Sequence, residues 1–355
     1  MTTAPRAMTL PRWRWPRWPV PMLLAAALLA TFVIAVQLGA VPVAARDWWA
    51  PFGDDAAMSG SAHVLWQLRL PRALLAVLIG ASLGLAGALT QGLFRNPMAD
   101  PGLLGVTSGA ACAAALVLTV FAASHAAVPA EWRIAVLPGC AFVGALAVCW
   151  ALDRIARWLT PGSIAGLLLT GLALNALAVA VIGLCTYLAT DEQLRSLSFW
   201  TLGSLAVAQW GVVALVAVVL AASAWQGRRL GHALNALALG ESAAAHVGVD
   251  VAGLRRRLVI VVALLSAVAV AWCGLIAFIG LMAPHMVRGA AGADQRRLLP
   301  LAMIAGALLL LVADTVARTV VIPAEVPVGI FTSLIGGPGF LILLRGVARQ
   351  HGGHA

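Results

Sequence analysis

Apolar residues run along this chain in continuous blocks rather than in alternation, and short polar or glycine–proline breaks separate the blocks. Each block is roughly 18 to 25 residues long, the length of helix that crosses a hydrocarbon core about 30 Å thick. The pattern predicts spans at Met22–Val41, Leu70–Leu93, Gly102–Ala122, Ile134–Leu152 and Ser163–Leu188. Five more follow at Leu205–Trp225, Leu258–Cys273, Gly274–Val287, Leu299–Val320 and Val328–Leu344. The seventh and eighth could be one long helix, but Gly274, Gly280 and Pro284 argue for a break. A β-barrel would need alternating segments of about ten residues, which are absent. The predicted fold class is an all-α polytopic membrane protein of about ten transmembrane helices.

Outside the spans, residues 1–21 form a basic arm rich in Trp and Pro, with Arg6, Arg12, Arg14 and Arg17. The apolar run after it is longer than the core of a signal peptide, about 7 to 15 residues, and Val43-Ala44-Ala45 is a poor cleavage site, so it reads as a retained first helix. Residues 22–345 then form one transmembrane domain and residues 346–355 a tail. Within that domain, Gln226–Arg257 is the longest cytoplasmic segment and predicts two short surface helices split by Gly240 and Gly248. Gly80, Gly84 and Gly87, spaced by four and three, predict close helix packing. Asn96-Pro97-Met98-Ala99-Asp100-Pro101 breaks the helix twice. The break is either a plain turn or a gate with Asn96 and Met98 facing a pathway.

Composition narrows the class. The chain is 62% hydrophobic and 10% charged, whereas ordinary soluble domains carry about 25% charged residues. All 23 basic residues are arginine. A phosphate-binding loop ending in Gly-Lys-Ser/Thr needs its lysine to reach the phosphates, so ATP-driven work would require a separate ATPase subunit. The net charge of +10 follows orientation: with the amino terminus inside, Arg46, Arg69, Arg72, Arg133, Arg195 and Arg318 fall outside and the other arginines inside. Both termini are then cytoplasmic. Cys112, Cys140, Cys149, Cys185 and Cys273 sit in apolar spans, and neither they nor the seven histidines show metal-ligand spacing, so no metal or cofactor is expected. Asp314 and Arg318 share a helix face four residues apart, which suits structural pairing better than a proton relay with no further ionisable partner.

Six stretches in order resemble the FecCD-like permeases of type II ABC importers, which move iron–siderophores, haem or cobalamin. They are LRLPR (Leu68–Arg72), NPMADPGLLGVTSGA (Asn96–Ala110), LALGESAAAHVGV (Leu237–Val249), GLIAFIGLMAPHMVR (Gly274–Arg288), LLLLVADTVAR (Leu308–Arg318) and EVPVGIFTSLIGGPGF (Glu325–Phe340). The resemblance covers about Trp66 to Leu344 and implies a bacterial inner-membrane subunit with no catalytic residues of its own. Implied partners are a second copy, two cytoplasmic ATPase subunits and a periplasmic binding protein. It further implies binding-protein docking at Arg69, Arg72 and Arg318, ATPase coupling at Leu239, Gly240, Glu241 and Ser242, and a cytoplasmic constriction at Asn96 and Met98. Met98 stands where leucine is usual.

Within that family, Asn175–Trp210 is most similar to haem permeases, chiefly through DEQLRSLSFWTLGSL (Asp191–Leu205), although Ala206-Val207 replaces the usual Gly-Gly. The resemblance implies haem as cargo, with Asn175 on the pathway and Arg195 near the outer mouth for the propionates. A ferric siderophore or cobalamin is the alternative cargo. An ion-coupled secondary transporter would be expected to show inverted repeats and midplane acids, and neither is clear. An intramembrane enzyme lacks a nucleophile–base pair.

Overall fold

In the computed structural model, which describes residues 19–52, 59–321 and 324–351, the chain is a helix bundle with no strand among the described residues. The basic arm up to residue 18 and the last four residues of the tail lie outside the described residues. The helices are α1 Pro19–Gln37, α2 Gly60–His63, α3 Leu70–Phe94, α4 Val106–Leu118, α5 Ala122–Ala127, α6 Ala130–Leu159 and α7 Ile164–Leu188. Then come α8 Asp191–Thr201, α9 Trp210–Ala238, α10 Glu241–His246, α11 Val251–Cys273, α12 Ile279–Ala291, α13 Gln295–Ala317 and α14 Val328–His351. Among the described residues seven helices are long and apolar enough to cross a membrane, and α4, α12 and α14 occupy the remaining three predicted positions.

Helix α3 is the axis of the bundle. A wide-turn segment, Val64–Arg69, joins α2 to α3, so Gly60–Phe94 is one continuous rod. Its neighbours are α13, α11, α12 and α9, while α4, α6 and α7 pack together alongside. The glycine spacing explains how α3 enters so crowded a position. A Cβ on Gly80 would lie 2.3 Å from the carbonyl oxygen of Gly306, one on Gly84 2.2 Å from that of Ala302, and one on Gly87 1.7 Å from that of Gly280. In lipid, where apolar burial does not drive helices together, such backbone contact is the main source of association. Gly87→Val is therefore expected to lower the apparent melting temperature of the solubilised permease sharply, because overpacking costs about 1–3 kcal/mol or more. An unchanged melting temperature would contradict the α3–α12 contact.

The predicted break at Gly274 is present. Gly274 ends α11 at φ +68°, and a Cβ there would lie 2.1 Å from the carbonyl oxygen of Trp200. Ser204 N–H donates to the Cys273 carbonyl at 2.8 Å and Gly329 N–H to Leu202 at 3.1 Å, knotting the α8–α9 loop to α11 and α14.

Two expectations need correction, and one helix lies outside the predicted spans. The third span is not one helix from Gly102: Pro101–Leu104 forms a tight turn and α4 has 13 residues, only about 20 Å of helix. Residues 191–201, which fall between two predicted spans, form α8, started by Thr190, whose hydroxyl accepts the Gln193 N–H. Gln226–Arg257 does not form two surface helices. Its first part continues α9 to Ala238, because Leu230, Leu234 and Leu237 keep a buried stripe in the core. Its last part already belongs to α11, leaving only Glu241–His246 as a separate short helix.

Candidate functional site

At the outer end, the start of α3 and the end of α13 bring Arg69, Arg72 and Arg318 together around a cavity of about 270 Å³, also lined by Val64, Leu68 and Glu325. The guanidinium groups turn inward, not outward as a free rim would require. Arg72 donates through Nη2 to Asp314 at 2.9 Å and through Nη1 to Glu325 at 2.7 Å. Asp314 is buried, and Arg318 Nε lies 3.7 Å from its other oxygen. Arg69, 6% exposed, donates to the carbonyls of Val36, Gln37 and Val41, while Arg318 donates to those of Ala35 and Leu38.

These carbonyls belong to the last turn of α1 and the residues after it, where a helix has no intrahelical donors left and the dipole favours cations. Two of the three arginines therefore cap α1, and the third holds two carboxylates. The sequence placed the arginines and the Asp314–Arg318 pair; it did not reveal Glu325 or the α1 carbonyls as partners. Glu325 stood in a quoted motif, but nothing in its spacing linked it to Arg72, 253 residues away.

At the inner end, Leu239 and Gly240 form the turn between α9 and α10, and Glu241 and Ser242 open α10. Gly240 has φ +119° and ψ +156°, a region open essentially to glycine alone. Leu239 is 82% exposed and Val247, at the other end of α10, is 71% exposed, so the turn presents an apolar knob away from the bundle. The knob is tied down from behind. Glu241 accepts from Arg255 Nη2 at 2.9 Å, and Arg255 Nη1 donates to the Gly162 carbonyl at 3.0 Å. Arg255, on the first turns of α11, thus links α10 to the α6–α7 turn. Sequence reading missed it because three consecutive arginines looked like topology signals alone.

The break after α3 is built by its own side chains. Arg95 closes α3 at φ +50°, Asn96 Oδ1 accepts the Met98 N–H at 2.9 Å, and Asp100 Oδ1 accepts the Gly102 N–H at 2.7 Å. Burial pushes the Asp100 carboxyl up, against the opposing pull of that N–H. Asn96 is exposed and Met98 half-buried. Asn175 lies on an exposed face of α7 beside Leu172 and Leu177, and Arg195 is exposed on α8. Neither meets the arginine cluster or the α9–α10 turn.

The comparisons agree with this architecture. The FecCD transport family model matches residues 27–346. The hemin transport system permease protein HmuU of Yersinia pestis is 42% identical over 319 residues, covering 90% of this chain and 93% of that one. The vitamin B12 import system permease protein BtuC of Yersinia enterocolitica is 42% identical over 283 residues, covering 80% and 82%. A solved metal-chelate type ABC transporter in an inward-facing conformation superposes with a TM-score of 0.79 at 32% identity, over 92% of this chain and 98% of that one. PsaBC from Streptococcus pneumoniae shares the fold alone, with a TM-score of 0.54 at 16% identity. With the family model spanning nearly the whole helix bundle, the chain belongs to the FecCD transport family and is a multi-pass permease of the inner membrane.

Proposed function

We propose that this chain is the haem-translocating subunit of an ATP-driven importer, working as a dimer with two ATPase subunits and a periplasmic binding protein. The observation that carries the coupling part is the apolar knob of Leu239 and Val247 on a glycine-only turn, backed by Glu241 and Arg255. An exposed apolar patch rimmed by polar groups suits a partner surface. Pushing on α10 loads Arg255, and Arg255 pulls on the α6–α7 turn through the Gly162 carbonyl. An ATPase that closes on the knob would therefore reach the inner mouth through two hydrogen bonds.

The exposed, largely apolar face of α7 supports the second copy, because its Asn175 among leucines is costly against lipid and suits a water-lined path between subunits. At the outer end, a binding protein's carboxylates would compete with Glu325 for Arg72, since Glu325 is the exposed member of the cluster. Arg69 and Arg318 would support the docking surface by holding α1 in place.

The likeness to HmuU favours haem. Its propionates would meet Arg195 outside, and Asn175 would lie along the route. The comparable identity to BtuC favours cobalamin as the second reading. Proteoliposomes holding the permease with its ATPase and binding protein are expected to take up haem when ATP is supplied inside the cytoplasmic compartment. Uptake of cobalamin or a ferric siderophore, with haem neither bound nor moved, would overturn the haem assignment and leave the importer standing.

A further inference from the structure

The cytoplasmic ends of α9 and α13 carry a feature that neither coupling nor transport uses. Two cavities of about 400 and 430 Å³ adjoin there and share Arg296, Arg297 and Pro300. The first is polar, with Arg228 and His232 from α9 and Asp294 at the start of α13. The second is apolar beyond its arginines, with Leu301, Ile304 and Pro21. We infer that this pair of cavities is a binding site for an anionic phospholipid of the inner leaflet, its phosphate among the arginines and an acyl chain along the apolar half.

Charge supports the phosphate half. Arg228, Arg296 and Arg297 are exposed and make no ion pair within 4 Å among the described residues. Asp294 is the opposing charge in the lining, and its Oδ1 accepts from Asn235 Nδ2 at 2.8 Å and from the Arg296 N–H at 3.0 Å. The Asn235 bond, then that N–H, hold its carboxyl below the usual range, so it stays ionised and offsets one arginine of three. Among the described residues, two positive charges are left over. Basic pockets between helices on the cytoplasmic side are the recognised chemistry for acidic lipid headgroups.

Depth supports the acyl half. Arg296, Pro300 and Ile304 follow at steps of four and so form one ridge. The ridge descends about 12 Å from cation to isoleucine at 1.5 Å per residue, the order of a headgroup's reach into the first acyl carbons. Pro300 has no N–H, so the Arg296 carbonyl lacks its usual helical donor. An independent marker fixes the level. The Arg229 guanidinium stacks 3.7 Å from the centre of the half-exposed Trp225 ring, next to Arg228, and tryptophan concentrates at membrane–water boundaries.

The test uses the full permease–ATPase complex in phosphatidylcholine vesicles doped with spin-labelled phosphatidylglycerol or spin-labelled phosphatidylcholine. The immobilised fraction is expected to favour phosphatidylglycerol, and the Arg228→Gln, Arg296→Gln, Arg297→Gln triple variant to lower that preference about tenfold. Arg257→Gln, outside both cavities, should leave it unchanged. Ile304→Trp, which fills the apolar half and keeps every charge, should also reduce it. Inorganic phosphate at the same concentration should not displace the label; displacement would assign the site to free phosphate instead. Equal immobilisation of the two lipids would overturn the inference. So would loss of ATPase assembly in the triple variant without change in lipid preference, which would give the arginines to the ATPase.

Discussion

Asp314→Ala is expected to destabilise the permease more than any other single polar replacement. Asp314 is 1% exposed and sits between Arg72 and Arg318, whose side chains are 13% and 9% exposed. Removing the carboxylate leaves Arg72 with the exposed Glu325 alone and Arg318 with the α1 carbonyls alone, two partly buried cations facing each other, and breaking a buried pair costs up to about 3–5 kcal/mol. The loss should appear as a lower apparent melting temperature in detergent and as faster proteolysis of α1, because Arg318 also holds the Ala35 and Leu38 carbonyls. Glu325→Ala is the control. Glu325 is 48% exposed, so its pair with Arg72 is screened by water and should matter far less to stability. A melting temperature unchanged by Asp314→Ala would mean that the cluster does not hold the outer end together.

Gly240→Val is expected to leave the permease inserted and folded but to cut ATP-driven uptake at least about tenfold. The φ of +119° and ψ of +156° admit a β-branched residue only with strain of about 1–3 kcal/mol. The cheapest relief is to turn α10 away from α9, which displaces the Leu239–Val247 knob and slackens the Glu241–Arg255 link. Arg255→Met tests the second link of the same chain. It keeps Gly240 and the knob, removes the bonds to Glu241 and Gly162, and should leave ATPase binding intact while uncoupling hydrolysis from uptake. Wild-type uptake per ATP hydrolysed by either variant would count against transmission along this route.

Most of the fold was legible because bilayer thickness sets helix length, and uninterrupted apolar blocks of that length have few alternatives. The break at Gly274 was legible from glycine and proline chemistry, and the packing role of Gly80, Gly84 and Gly87 from their spacing. The reading failed where a helix leaves the membrane. Beyond Trp225 the polar residues and glycines suggested surface turns, yet Leu230, Leu234 and Leu237 keep α9 in the core. Hydropathy averaged over a window does not register a stripe one residue wide in every turn. The α8 helix was missed for the related reason that its amphipathic stretch is too short and polar to stand out from a loop.

By itself, then, the sequence determined the class, the orientation and the positions where charge enters the bundle. Those depend on local length, local composition and the cost of moving arginine across a membrane, all of which act residue by residue. Only the tertiary structure decided what each charge is for. Arg72 meets carboxylates 242 and 253 residues further along the chain, and Arg255 reaches a carbonyl 93 residues before it. Arg69 and Arg318 spend their donors on the backbone of α1. Partners at such separations leave no periodic trace, because what brings them together is the packing of glycine-faced helices around α3, and not anything in the chain beside them.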